Sequence, residues 1–158
     1  MTNMLRRATA AIVAVLLVSC AARTVAPVSG RAPLSDLLGI RLGMSRDAVR
    51  SSLATTAKLE REERRRHEIW TLADDPRYAS LIIGYTPEWN VRFVTAVAKP
   101  DGAAVRYDEV LDTTTADHRV AGNTHTWMWS TGTPRYYVIA IGPPDRLEYL
   151  SLKEQPEE

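Results

Sequence analysis

The feature that most restricts the fold is an internal match at a constant offset of 58 residues. Leu53 falls on Leu111, Thr55-Thr56 on Thr113-Thr114, Arg61 on Arg119 and His67 on His125. Pro76-Arg77-Tyr78 falls on Pro134-Arg135-Tyr136, and Gly84 on Gly142. Ordinary composition would give about two identities over such a stretch by chance. The pattern predicts one supersecondary unit used twice. Each copy reads as a short helix followed by antiparallel strands. The expected fold class is therefore α+β: short helices packed on antiparallel β-sheet, with a duplicated helix-then-β-hairpin unit. The first unit runs over 34–100 and the second, more diverged, over 101–153. Two such sheets, each with one apolar face, pair together or extend into one sheet of about six strands covered by helices.

The best-marked element is a helix over Arg46 to Leu53. Ser45 is its expected N-cap, because a hydroxyl accepts from the free amides of a first turn. Asp47 sits where the helix dipole favours an anion. Met44 and Val49 are spaced as a hydrophobic staple. An earlier short helix is expected over Leu34 to Ile40, capped at Gly39, and another over Val105 to Leu111. Strands are expected over 68–72, 78–85, 91–98, 126–130, 136–141 and 147–152, separated by the turn signals Asp74-Asp75-Pro76, Thr86-Pro87 and Gly142-Pro143-Pro144-Asp145.

The amino terminus carries a different signal. Arg6-Arg7 precedes an apolar run from Ala8 to Val18. That run makes roughly 16 Å of helix, too short for a hydrocarbon core of about 30 Å. It fits the apolar region of a secretion signal over residues 1–19. The run ends in Leu17-Val18-Ser19-Cys20, which resembles the lipobox of bacterial lipoproteins, [LVI]-[ASTVI]-[GAS]-C. That resemblance implies cleavage before Cys20 and acylation of its thiol. Cys20 is the only cysteine, so no intramolecular disulfide is available. Two or three acyl chains would hold the mature chain firmly on a membrane. Ala21 follows, which in Gram-negative lipoproteins implies an outer-membrane, periplasm-facing address. Residues 20–33, with Pro27, Gly30 and Pro33, read as a flexible tether, with a reach of about 20 Å. Residues 154–158 read as an acidic tail. Loss of the signal leaves a formal charge of −1. Such a balance argues against nucleic acid as a partner.

Ile40-Arg41-Leu42-Gly43-Met44-Ser45 through Val49 and Leu53 resembles the opening of the small outer-membrane lipoproteins called BamE, SmpA or OmlA. Their pattern is roughly I-x-x-G-M-[ST]-x-x-x-V-x-x-x-L. Gly84 to Val91 resembles their later hairpin, so the likeness covers about residues 37–98. It extends to the wider group that includes the tandem-repeat β-lactamase inhibitor proteins. The resemblance implies an αα-β-sheet fold and a binding role, in support of outer-membrane protein assembly. The chain departs from the pattern at Ala54-Thr55, where the family often has Gly, and no family contact residue carries over.

The residues themselves offer little chemistry. His67, His118 and His125 have no recognised metal spacing, and neither a phosphate loop nor a G-x-S-x-G elbow occurs. No catalytic residue, metal or cofactor is expected. Glu60 to Arg66 is a charge run. As a helix it would form i,i+4 pairs, and as a hairpin tip it would keep an edge soluble. Arg64, Arg65 and Arg66 are candidate contacts to anionic headgroups. Trp89, at an expected hairpin tip, is a candidate partner contact or folds back onto Trp70 or Phe93. Trp70, Trp127 and Trp129 read as core. The function expected is a lipid-anchored, non-catalytic binding or scaffold component that contacts the membrane through Cys20 and other envelope proteins through its fold. The alternative is an inhibitor or ligand-binding lipoprotein.

Overall fold

A computed structural model describes residues 34–63, 66–131 and 135–155. The expected signal over 1–19, Cys20, Ala21, the tether, Arg64, Arg65, Pro134 and the end of the tail lie outside the described residues. In chain order the elements are α1 (Arg46–Leu53), β1 (Lys58–Glu63), β2 (His67–Thr71), β3 (Tyr78–Tyr85), β4 (Val91–Ala98), α2 (Tyr107–Val110), β5 (Asp117–Ala121), β6 (Thr124–Ser130), β7 (Tyr136–Gly142) and β8 (Tyr149–Glu154). All eight strands lie in one sheet, in the order β1-β2-β3-β4-β8-β7-β6-β5, and every neighbouring pair is antiparallel. The chain meanders inward over β1–β4, crosses to the far edge through α2, and meanders back until β8 pairs with β4.

This corrects the expected α+β fold with duplicated helix-then-hairpin units. The described residues form one eight-stranded antiparallel sheet with a single two-turn helix, α1, and the one-turn α2. Residues 34–40 hold no helix. Leu37 and Ile40 exchange backbone hydrogen bonds of 2.9 and 3.1 Å around Leu38 and Gly39, which take φ of 55° and 80°. Two successive left-handed residues make a tight reversal, which a right-handed helix excludes. The helix expected over 105–111 shrinks to the four residues of α2, because Leu111 is already extended at φ −146°. Of the charge run, Glu60 to Glu63 lie in edge strand β1 (residues 58–63) and Arg66 in the turn to β2, so the hairpin alternative fits and the helical one does not. Residues 117–121 form the other edge, β5. What the two halves share is the strand plan, with β3 and β7 starting at Tyr78 and Tyr136, and β4 and β8 at Val91 and Tyr149.

The register explains the layering. Leu59, Trp70, Leu81, Ala96, Leu150, Ala140, Trp127 and His118 lie side by side across all eight strands. On the same face a second row contains Glu68, Ile83, Val94, Leu152, Val138 and Trp129. The central members of both rows are buried. α1 closes this face at the β2 end by burying Val49 and Leu53, four residues apart on one helical stripe. Burial at about 1.5–3 kcal/mol per aliphatic side chain makes that stripe the helix's main attachment. Ser45 caps α1 as expected, its hydroxyl accepting from the Ala48 amide. Tyr107 and Val110 of α2, with Val105 and Leu147, cover the β7–β8 end. The opposite face carries Ile69, Ile82, Thr95, Ser151, Ile139 and Met128 and looks away from both helices.

Candidate functional site

The residues singled out from the sequence do not converge on one site. Cys20, Arg64 and Arg65 lie outside the described residues. Arg66 stands exposed in the β1–β2 turn at φ 58°, its carbonyl accepting from the Tyr85 amide at 3.0 Å. Trp89 is 36% exposed and also left-handed, at φ 63°. It does fold back, onto neither Trp70 nor Phe93 but against Tyr85, with ring centroids 5.9 Å apart, and beneath the Arg46 guanidinium at 4.3 Å. The Arg46 amide donates to the Trp89 carbonyl at 2.9 Å, which ties the β3–β4 turn to the start of α1.

Arg46 leads from Trp89 to a buried carboxylate that the sequence reading passed over. Glu68 has no exposed surface. Its Oε1 accepts from Arg46 Nε at 2.7 Å and from Arg50 Nε and Nη2 at 2.9 and 2.6 Å. Its Oε2 accepts from the Tyr85 hydroxyl at 2.7 Å and the Trp70 indole at 3.1 Å. Glu62 of β1 bridges the outer sides of the same two arginines at 2.5 and 3.1 Å. Burial by itself pushes the Glu68 carboxyl up, but donation by Arg46, Tyr85, Arg50 and Trp70 outweighs it and holds the group below the ordinary carboxylate range. Burial, and donation to Glu68, raise the Tyr85 phenol. Each of the four donor side chains, Arg46, Arg50, Tyr85 and Trp70, is engaged with Glu68. The cluster is a latch that orients α1 on the sheet. Its signal in the sequence is parity: in Glu68-Ile69-Trp70 the glutamate shares the buried side with the tryptophan.

The other end of the same face is open. β5 and β6 form a hairpin in which Ala121 pairs with Thr124 and Gly122 takes φ 61°. Gly122-Asn123 is a two-residue turn signal that would have exposed β5 from sequence. All five residues of β5 are exposed. His118 stacks on Trp127 at 3.9 Å with an interplanar angle of 10°. His118 Nε2 lies 3.0 Å from His125 Nδ1. His67, matched to His125 by the 58-residue offset, points to the opposite face and meets Phe93 edge-on. On its other side Trp127 approaches Tyr107 at 6.2 Å. Together with Arg106, Asp108, Thr113 and Asp145 these two rings line a cleft of about 420 Å³. The Tyr107 hydroxyl donates to the Pro143 carbonyl at 2.9 Å. Burial first, then Glu148 and Asp145, push it up to about 12, so it stays neutral. A second hollow of about 440 Å³ is bordered by Leu38, Leu53, Leu72 and Pro76 together with Thr55, Thr56, Asp74 and Asp75.

Comparison with known proteins supplies no relative: no family model, no curated protein and no solved structure matches the chain.

Proposed function

We propose that this protein is a membrane-anchored, periplasm-facing lipoprotein that acts as a non-catalytic binding component in envelope assembly, holding an extended segment of another envelope protein along β5. One observation carries the reading, the contrast between the two sheet edges. β1 has charges at five of its six positions, the usual protection of an edge against pairing. β5 leaves Val120 57% exposed, next to the stacked His118 and Trp127. An added strand would find backbone partners there and an aromatic shelf for alternate side chains. The resemblance of residues 40–53 to the barrel-assembly lipoproteins and the lipobox-like Leu17 to Cys20 support the placement. A second reading, an inhibitor or ligand-binding lipoprotein, draws on the sheet face turned away from the helices, where Phe93, Tyr137 and a 43% exposed Tyr149 project.

The test is site-specific photo-cross-linking in cells from Val120, Tyr149 and Glu60, with and without Cys20→Ser. The expected result is an adduct between Val120 and a barrel-assembly component that is lost in Cys20→Ser, together with loss of palmitate labelling. An adduct from Tyr149 to one soluble hydrolase supports the second reading instead. Adducts from Glu60 alone overturn both.

A further inference from the structure

The paired imidazoles on the open hairpin have a geometry that binding of a protein segment does not require. His118 Nε2 and His125 Nδ1 are 3.0 Å apart, on adjacent hydrogen-bonded strands. Metal–imidazole bonds of about 2.0–2.1 Å place two cis nitrogens roughly 2.8–3.0 Å apart at 90°, and about 3.3–3.4 Å apart in a tetrahedron. The observed separation is that of an N–H···N hydrogen bond between the two rings, so both lone pairs must turn toward a shared ion, but the two nitrogens are already within the span that one ion bridges. We propose that His118 and His125 form an open two-nitrogen site for a divalent transition-metal ion, copper(II) first among them.

Three features support this beyond the distance. The strand ladder keeps the two side chains neighbours on one face, since His118 lies opposite Trp127 and His125 opposite Val120 in an unbroken register. The His118 ring is further fixed by its stack on Trp127, so little side-chain entropy remains to be lost on binding. Arg119, the nearest cation in sequence, points to the other face by strand alternation and does not oppose a bound cation. In the free protein one ring N–H lies between the two nitrogens. That proton moves to the other nitrogen of its own ring when the metal takes both lone pairs, so neutral imidazoles bind without net proton release. No group of three or more His, Cys, Asp or Glu side chains able to hold a metal occurs among the described residues. The remaining coordination positions are therefore left to water or to a donor from outside. Copper(II) exceeds zinc(II) at such nitrogen sites by the ordinary stability order.

The experiment is titration of copper(II) into the purified lipidated protein in detergent, read by tryptophan fluorescence and by electron paramagnetic resonance. Trp127, in contact with His118, is the built-in reporter. Expected are quenching that saturates at one equivalent, and nitrogen hyperfine structure from two imidazoles. Affinity should fall at least tenfold in His118→Asn and in His125→Asn and stay unchanged in His67→Asn. Zinc should compete at least tenfold more weakly. The spectrum of the unaltered protein keeps the test independent of how the variants fold. Oxygen-only coordination, quenching unchanged in both histidine variants, or tighter zinc than copper overturns the assignment.

Discussion

Replacing Glu68 with Gln keeps the side chain's shape and removes its charge. One amide oxygen can still accept, from Tyr85 and Trp70 or from the arginines, but not from both sides. In the orientation that serves Tyr85 and Trp70, the amide NH₂ faces the Arg46 and Arg50 donors that now hold Glu68 at 2.6–2.9 Å. Breaking a buried charge pair from one side costs about 3–5 kcal/mol. Here the arginine side chains are 20% and 38% exposed and keep Glu62, so water and that second carboxylate recover part of the loss. The expected cost is about 2–4 kcal/mol after that discount. At roughly 4 °C per kcal/mol for a domain of this size, the melting midpoint drops by about 8–16 °C. Urea unfolding followed by tryptophan fluorescence measures it directly, because Trp70 and Trp89 both touch the cluster. Glu62→Gln, at a carboxylate 46% exposed, is the control and should cost under about 1 kcal/mol. The sign with pH follows from the lowered Glu68 group. Its stabilisation is complete above the ordinary glutamate value of about 4.3 and disappears as pH falls through the lower folded value. The acid limb of the stability curve should therefore flatten in Glu68→Gln. Equal costs for the two variants, or an unchanged acid limb, would refute the view that a buried carboxylate holds α1.

Two further substitutions probe close approaches in the sheet. Gly142→Ala should destabilise more than Gly84→Ala in the same unfolding assay. A Cβ at Gly142 meets backbone atoms at 2.5–2.9 Å, from Arg146 to Glu148, whereas at Gly84 it meets the Phe93 ring, which can turn aside. The expected costs are about 3 kcal/mol or more against about 1–2 kcal/mol, and the reverse order would count against the packing described. Trp89→Ala should cost about 0.5–1 kcal/mol through its contact with Arg46. A loss above about 3 kcal/mol would place Trp89 in the core instead.

The sequence by itself determined the parts written in local chemistry. Ser45 and the Val49–Leu53 spacing mark α1 in the sequence, because a cap acts on the first turn and an apolar stripe shows which side the helix buries. β3 and β4 lie where their β-branched and apolar residues predict, over 78–85 and 91–98. Tertiary structure decided the rest. β1 and β5 have charged or polar sequences with little strand preference of their own, and they exist because β2 and β6 offer them free hydrogen-bonding edges. Side-chain direction was also non-local. An odd shift reverses a face: Val94 pairs with Ile83, but its offset match Leu152 pairs with Val138, three residues before the match of Ile83, so His67 and His125 point to opposite sides of the sheet. The Glu68 latch and the His118–His125 pair join residues 22 and 7 positions apart, and only the register of neighbouring strands and the seat of α1 bring them together. The 58-residue offset marks where strands begin. The order in which hydrogen-bonded edges find one another made them a single sheet, with a charged edge at β1 and an open one at β5.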